Sequence, residues 1–249
     1  MRDEYITSRK NRIIGHLRSV ASDRAYRESC REFICDGEKT LREALACGAE
    51  IKCVLWREKR GDIEVGAPEY IAPADLFEYA SPLKSSGGPV FTVTMPDMSA
   101  EERAERIIVL ESLQDPGNVG TVIRTANAFN IDAVILTGAC ADLYNPKTVR
   151  ASMGAIFRPR VMTMSIAELT DYCDRNRLPL FGAALSSRAA DVRRVELHRA
   201  AVCIGSEGRG LSGELLAACG GEIIIPMNPA SESLNAAVAA SVLMWEMSK

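Results

Sequence analysis

LQDPGNVGTVIRTANAFN, residues 113–130, decides the fold class because it joins a strand pattern to a helix pattern through a turn. The strand is predicted directly before it, at residues 107–111 (IIVLE), where a short apolar run has the composition of a buried strand. The helix is predicted at residues 120–129, after the turn-forming sequence DPGN. The same order of strand, turn and helix recurs in IGSEGRGLS (204–212) and IIIPMNPASESLNAAVAAS (223–241). Strands that alternate with helices predict a mostly parallel sheet with helices on both faces.

The remaining sequence predicts two domains. The second half contains further predicted strands at 133–136, 180–184, 201–204 and 222–225, and helices at 165–176, 212–219 and 233–247. The first hundred residues predict a compact α/β unit, with helices at 8–20, 22–31, 37–47 and 74–79 and strands at 32–35, 51–55 and 90–93. The charged segment 97–106 follows a proline, so we expect domains at 1–96 and 107–249 joined by a linker at 97–106.

Composition restricts the class of protein. In a chain of 249 residues with 47% apolar side chains, no apolar run reaches the roughly 18 residues of a membrane span. The N-terminal residues are charged rather than apolar, which argues against a secretion signal and predicts a cytoplasmic location. The eight cysteines include no C-x-x-C pair, and both histidines are distant from any cysteine pair. We therefore expect neither a zinc site nor a disulfide framework, and interpret the cysteines as small core residues.

Charge is unevenly distributed along the chain. The net charge is −3, yet residues 1–31 contain eight lysines and arginines and four acidic residues, a local charge of +4. A second basic stretch, residues 145–165, contains no acidic residue. Local basic patches are typical of surfaces that bind phosphates, although each could also be an ordinary solvated surface.

In this order, the three strand–turn–helix segments resemble the signature motifs of the SpoU (TrmH-type) RNA 2′-O-ribose methyltransferases, within the SPOUT superfamily. The resemblance covers residues 107–249. It implies a SPOUT-type parallel sheet with a trefoil knot, a homodimer, and S-adenosyl-L-methionine (AdoMet) as methyl donor. Residues 6–56 resemble, more loosely, the substrate-binding domain that precedes the catalytic domain in many SpoU enzymes, an L30e-like fold that binds RNA.

The resemblance assigns active-site roles in all three segments. In the first, Asn118 and Arg124 match the substrate-side positions of the family. Taken alone, Asn118 could simply cap a helix and Arg124 could be an ordinary exposed arginine. In the second segment, Glu207 matches a residue that organises the site. In the third, Ser233 and Asn235 match polar positions near the point of methyl transfer.

The cofactor pocket is expected from the second and third segments. Glycines between a strand and a helix let the backbone contact a ligand, and an apolar strand end beside a proline-containing loop suits adenine and ribose. The lining residues implied by the resemblance are Gly205, Ile225, Met227 and Leu234. The turn GSEGRG is not the G-x-G-x-x-G fingerprint, which argues against a nicotinamide-dependent enzyme. Ser231 or Ser233 can also cap the last helix, which is compatible with a role in the site.

A fourth segment, DLYNPKTVRASMGAIF at residues 142–157, also resembles the family and is expected to lie near the RNA with Asn145 and Ser152. Guanidinium and ammonium groups bind phosphate, so basic residues of this segment and of the N-terminal patch are the predicted RNA contacts. They are Arg9, Lys10, Arg12, Lys147 and Arg150.

The resulting prediction is AdoMet-dependent 2′-O-methylation of RNA, with ribosomal (23S-type) RNA as the favoured substrate. The ribose hydroxyl is a weak nucleophile, so Arg124 is expected to stabilise the emerging alkoxide or to help remove its proton. Because a guanidinium keeps its proton in proteins, the electrostatic role is favoured. No metal is expected, because charge builds on one oxygen and the donor carries its own positive charge. The alternatives are a non-catalytic RNA-binding or ribosome-assembly protein on the same fold, and a nucleotide-dependent oxidoreductase.

Overall fold

The computed structural model describes residues 4–83, 87–97, 104–158, 160–228, 230 and 232–249. The strands are β1 (Glu4–Tyr5), β2 (Glu32–Asp36), β3 (Ile51–Arg57), β4 (Glu69–Ala72), β5 (Val90–Thr94), β6 (Arg106–Glu111), β7 (Ala133–Thr137), β8 (Arg160–Thr163), β9 (Leu180–Ala183), β10 (Ala190–Asp191), β11 (Ala200–Ile204) and β12 (Gly221–Ile224). The helices are α1 (Arg12–Ser22), α2 (Arg24–Cys30), α3 (Glu38–Ala46), α4 (Ala74–Ala80), α5 (Pro116–Ala128), α6 (Pro146–Ala151), α7 (Ile166–Asn176), α8 (Gly213–Ala218) and α9 (Ala236–Met247). Single turns of 3-10 helix lie at Ala155–Phe157 and Val192–Arg194.

The chain folds into two compact units. The first consists of Met1–Asp97 and Leu143–Phe157, and the second of Met98–Asp142 and Arg158–Lys249. The sequence predicted one continuous second domain from residue 107. In the structure that stretch is interrupted, because the internal segment Leu143–Phe157 packs with the first unit. Most of the predicted linker, residues 98–103, lies outside the described residues.

The first unit is built on a mixed five-stranded sheet in the order β1-β4-β3-β5-β2. Side chains alternate between the two faces along each strand. One face, with Phe33 and Phe91, is covered by α3 and by the segment Leu143–Phe157. The opposite face, with Ile34, is covered by α1 and α4, where Leu17 and Phe77 are fully buried. The unit therefore has two separate helical surfaces.

The segment Leu143–Phe157 belongs to the core of the first unit. The rings of Tyr144 and Phe157 lie 4.7 Å and 6.1 Å from the ring of Phe33, measured between centroids. Val149 of α6 is buried in the same cluster. Burying large apolar side chains stabilises a fold by about 1.5–3 kcal/mol each, so this segment contributes substantially to the unit.

The second unit is built on a seven-stranded sheet in the order β10-β12-β9-β11-β6-β7-β8, and each of these strand pairs is parallel. One face packs on α7 and α8 through a cluster that includes Ile107, Ile135 and Cys203. The alternate strand residues, such as Ile108 and Val202, are also fully buried, and α5 and α9 pack on β6, β7 and β11. The predicted parallel sheet with flanking helices is confirmed. Because all its strands run in one direction, their carboxyl ends share one edge.

The start of α5 differs from the sequence prediction. The helix begins at Pro116 rather than at residue 120, because Asp115 caps it and its carboxylate accepts the N–H of Asn118 at 2.8 Å. Proline is favoured at the first helical position, where its missing N–H costs nothing. Asn118 is therefore not the cap, which leaves its side chain available for other contacts.

The start of α9 also differs. The helix begins at Ala236 rather than at residue 233, because the side-chain oxygen of Asn235 accepts the N–H groups of Ala237 and Val238. Ser233 is not the cap, and the alternative cap Ser231 lies outside the described residues. Four short strands, β1, β4, β8 and β10, were not predicted, since two to four residues give too little alternation to detect.

Candidate active site

A pocket of about 520 Å³ lies at the carboxyl ends of β9, β11 and β12 in the second unit. Its lining includes all four predicted cofactor residues, Gly205, Ile225, Met227 and Leu234. Two predicted catalytic residues, Glu207 and Ser233, line it as well. The strand ends meet here because the sheet is parallel, which is the usual position for a ligand in an open α/β sheet.

The second motif forms a closed loop on one side of this pocket. Ser206 and Gly210 form an isolated bridge, in which the Gly210 N–H donates to the Ser206 carbonyl at 2.9 Å. A Cβ at Gly205 would overlap the backbone of Gly210 and Leu211, so only glycine fits beneath the closed loop. Gly210 itself has a φ of +68°, a conformation that glycine adopts without strain. The glycines of GSEGRG therefore fix the shape of the pocket wall.

A chain of side-chain hydrogen bonds joins the three motifs. The Asn235 amide nitrogen donates to the Asn118 side-chain oxygen at 3.3 Å, and the Asn118 amide nitrogen donates to the Glu207 carboxylate. The same Asn235 side chain caps α9 through its oxygen. One Asn235 side chain therefore both caps α9 and joins the hydrogen-bonded chain, whereas the sequence predicted Ser231 or Ser233 as the cap. The partners are 117 and 89 residues apart in sequence, and the fold brings them together.

Two predicted catalytic residues do not join this chain. Arg124 is exposed on α5, and its side chain forms no hydrogen bond or ion pair with any residue that the structure describes. It lies six positions after Asn118, which places it roughly 9 Å further along the helix and on a different side. Ser233 is exposed and lines the pocket, likewise without a hydrogen bond to the described part of the chain. Both side chains remain available to a substrate.

Two features of the site were missed by the sequence prediction. Glu111, at the end of β6, is 6% exposed, and its carboxylate accepts the N–H of Ser212 at 2.7 Å, which fixes the second motif to the sheet. Ser212 in turn caps α8. Leu185 lines the pocket although it is 64% exposed. Glu111 ends β6 and Leu185 follows β9, and ligand sites form at the carboxyl ends of parallel strands. Their positions in the sequence relative to the predicted strands could therefore have identified both residues.

The five predicted RNA-binding residues all lie in the first unit and are exposed. Arg9, Lys10 and Arg12 lie at or just before the start of α1. Lys147 and Arg150 lie on α6, which packs on the opposite face of the five-stranded sheet. These residues therefore form two separate basic surfaces rather than one. Asn145 of the fourth segment caps α6 by accepting the N–H of Lys147 at 2.9 Å, and Ser152 is buried.

In the part of the chain that the structure describes, two other features are absent, a metal site and a membrane-spanning helix. No group of three or more histidine, cysteine, aspartate or glutamate side chains there is arranged to hold a metal ion. Each described helix is too short or too polar to cross a lipid bilayer.

Comparison with known proteins assigns the family. The model of the SpoU rRNA methylase family matches residues 105–245, more than half of the chain. The chain belongs to the SpoU rRNA methylase family. The prediction of a SpoU-type methyltransferase, made from three short motifs, is thereby confirmed.

Relatives with named substrates match nearly the whole chain. The 23S rRNA (guanosine(2553)-2′-O)-methyltransferase RlmP of Bacillus subtilis is 28% identical over 247 residues, which cover 98% of this chain and 99% of that protein. The 23S rRNA (uridine(2479)-2′-O)-methyltransferase of Streptomyces viridochromogenes is 29% identical over 261 residues, covering 97% and 90%. The AdoMet-bound rRNA methyltransferase of Sinorhizobium meliloti shares the fold, with a TM-score of 0.88 at 23% identity over 98% of this chain and 97% of that one.

Proposed function

We propose that this chain catalyses AdoMet-dependent 2′-O-methylation of a ribose in large-subunit (23S-type) ribosomal RNA. The observation that carries the proposal is the hydrogen-bonded chain of Asn235, Asn118 and Glu207, which joins all three SpoU motifs beside one pocket. The two named relatives at 28% and 29% identity act on 23S rRNA at different nucleotides. They support the class of substrate, while the nucleotide has to be measured.

The pocket suits AdoMet in size and lining. A volume of about 520 Å³ falls within the range that encloses small ligands, roughly 300–1,000 Å³. Ile225, Met227 and Leu234 offer apolar surface for a flat ring, and the closed loop after Gly205 offers backbone groups. AdoMet is the methyl donor of the family to which the chain belongs.

The mechanism assigns a positioning role to the three joined residues. The bound donor supplies a methyl group that is already electrophilic. Asn118 and Asn235 hold each other in fixed rotamers and retain a further amide N–H each, which can orient a ribose hydroxyl. The Glu207 carboxylate fixes the direction of the Asn118 amide. Groups fixed before the substrate arrives lower the entropic cost of alignment, which is a large part of the barrier in a group transfer.

Arg124 supplies positive charge to the reaction. Its guanidinium is exposed and lacks a carboxylate partner among the described residues, so a phosphate of the RNA can bind it in a bidentate manner. A guanidinium oriented in this way stabilises negative charge on the ribose oxygen as the proton leaves. A guanidinium keeps its proton in proteins, so it serves better as this stabiliser than as a base.

The architecture extends the proposal to the whole chain. We assign RNA docking to the first unit, as an L30e-like domain, because all five predicted RNA-binding residues lie there. We assign a trefoil knot to the second unit because residues 107–249 resemble the SPOUT superfamily, in which the catalytic domain is knotted. Val238 and Trp245, seven positions apart on one side of α9, are 49% and 53% exposed, and these two exposed apolar side chains support a homodimer. A cytoplasmic location stays a prediction.

The test is a methylation assay followed by mapping. The full chain is incubated with protein-free 23S ribosomal RNA and radiolabelled AdoMet, and the RNA is then cleaved with alkali. A 2′-O-methyl group blocks cleavage at its own phosphodiester, so we expect label in the RNA and one protected position. Calorimetric titration with AdoMet and with S-adenosylhomocysteine runs in parallel and is expected to give saturable binding of both.

Each failure has a separate meaning. Binding of RNA without binding of AdoMet, alone or in the presence of RNA, would overturn the enzyme proposal in favour of a non-catalytic RNA-binding protein. Label on the base instead of the ribose would overturn the proposed reaction. Label in transfer RNA but not in 23S RNA would overturn the proposed substrate.

A further inference from the structure

The side chain of Tyr79, at the end of α4 in the first unit, is contacted by two arginines. The guanidinium carbon of Arg9 lies 4.5 Å from the centre of the Tyr79 ring, and that of Arg18 lies 3.9 Å from it. Arg18 also donates a hydrogen bond from Nη1 to the Tyr79 backbone carbonyl at 2.9 Å. One half-buried ring thus holds two exposed cations that precede and follow the start of α1.

These two arginines differ from others in the same unit. Arg24 pairs with Glu28 at 2.8 Å and Arg42 with Glu38 at 2.6 Å, each one turn away on its own helix. Neither Arg9 nor Arg18 has an ion pair with a residue in the described ranges. Glu78, next to Tyr79, is engaged by Arg57 at 3.1 Å.

Two cations held this way favour an anion. Both guanidiniums lie within 4.5 Å of one ring centre, so twice that distance is the most that can separate their central carbons. At such a separation like charges repel, and the ring attracts each cation without neutralising it. A guanidinium presents a planar fork of N–H donors that matches a phosphate. An anion that bridges the two guanidiniums therefore relieves their repulsion. It also accepts hydrogen bonds from N–H groups that have no carboxylate partner among the described residues.

We propose that Arg9 and Arg18, fixed on Tyr79, form a phosphate clamp that docks the RNA substrate on the α1–α4 surface of the first unit. This inference rests on the proposed function, since it takes the anion to be the RNA backbone. Lys10 and Arg12 lie beside the clamp in sequence and extend its positive charge. Lys147 and Arg150 lie on the opposite face of the sheet and are not part of the clamp.

The test removes the two charges together. We expect Arg9→Gln/Arg18→Gln to raise the KM for protein-free 23S ribosomal RNA by about tenfold or more, with kcat changed far less, because docking precedes chemistry. The slope of log affinity against log salt should fall by about 1.4 to 1.8, the value for two lost phosphate contacts. Arg24→Gln/Arg42→Gln is the matched control, since it removes the same charge from paired arginines of the same unit. It should leave the KM within twofold of the wild-type value and the salt slope unchanged.

A second pair of variants tests the ring. Tyr79→Phe keeps the ring and should retain the wild-type salt slope, whereas Tyr79→Leu removes the ring that both guanidiniums contact and should raise the KM. Equal salt slopes in wild-type protein and Arg9→Gln/Arg18→Gln would overturn the clamp. So would an equal loss in the Arg24→Gln/Arg42→Gln control, which would mean that only total charge matters. Absence of methylation by the wild-type chain would instead mark failure of the proposed function, and the salt slopes would still report on the clamp.

Discussion

The two units of this chain use polar side chains in opposite ways. In the second unit, Asn118, Glu207 and Asn235 are joined to one another at the edge of an all-parallel sheet, where strand ends and loops converge. In the first unit, the sheet is mixed, and the basic residues lie apart on two helical surfaces. A parallel sheet concentrates loops at one edge and so builds a pocket, whereas helices over a mixed sheet present broad surfaces. The difference suggests that chemistry and docking can be disabled separately.

Arg124→Ala should give the largest effect and act mainly on chemistry. Removal of a group that stabilises developing charge typically lowers kcat by about 10²–10³-fold. RNA affinity should fall only by the loss of one phosphate contact, because the other proposed RNA contacts lie in the first unit. Single-turnover methylation and a separate RNA-binding assay distinguish the two quantities. Arg175→Ala, which removes an exposed arginine paired with Asp171 on α7, is the control. A near wild-type rate in Arg124→Ala with normal RNA binding would exclude the proposed role.

The sequence predicted the residues that line the pocket better than the hydrogen bonds that join the motifs beside it. The three motifs each join a strand to a helix, so their glycines, prolines and asparagines are recognisable locally. The hydrogen bonds that unite Asn118 with Glu207 and Asn235 span 89 and 117 residues, and no local pattern encodes such a pairing. The cap of α5 was predictable, since Asp115 precedes a proline at the first helical position.

The domain boundary shows a different limit. Residues 143–157 resemble the SpoU family and lie within the stretch 107–249. The sequence therefore predicted that they belong to the second domain. Their apolar side chains, among them Tyr144 and Phe157, nevertheless pack on Phe33 of the first unit. Apolar residues specify burial but not the surface that buries them, so tertiary partners of this kind require a structure.

Gly205→Ala should give an intermediate effect confined to the second unit. The added Cβ overlaps the backbone of Gly210 and Leu211, so the loop must open. Overpacking of this kind costs about 1–3 kcal/mol, which corresponds to roughly 5- to 150-fold in AdoMet affinity if the open loop cannot bind. Gly213→Ala is the control, because a Cβ there meets no atom within 4 Å. Calorimetry should show weaker AdoMet binding only for Gly205→Ala, and equal affinities would mean that the closed loop is dispensable.

The smallest effect is expected from the pH dependence of the first unit. Burial raises the pKa of the Glu32 carboxyl, but hydrogen bonds from His16 and Thr92 and the charges of His16 and Lys52 outweigh it, so the pKa falls below its ordinary value of 4.5. His16 Nε2 lies 3.0 Å from the carboxylate. Because the pKa of Glu32 is lower in the folded state, its ionisation stabilises the fold. This stabilisation is fully present above pH 4.5 and is lost as the pH falls through the folded-state pKa.

Glu32→Gln removes this titration and provides the measurement. Urea unfolding at about pH 6 and about pH 3.5 should show that acid destabilises the wild-type chain slightly more than the variant. The second unit, followed through AdoMet binding at neutral pH, should be indistinguishable in the two proteins. A variant as acid-sensitive as the wild type would show that Glu32 contributes nothing to this dependence.

The path of the chain restricts how this protein can evolve. Because Leu143–Phe157 returns to complete the core of the first unit, a gene recombination at residue 97 would not transfer that unit intact. In the transferred residues 1–97, Phe33 would lack the rings of Tyr144 and Phe157 that cover it. The remaining part of the chain would keep residues 143–157 without the surface on which they pack. New RNA specificity in this lineage should therefore arise by point substitution on the existing surface rather than by exchange of modules.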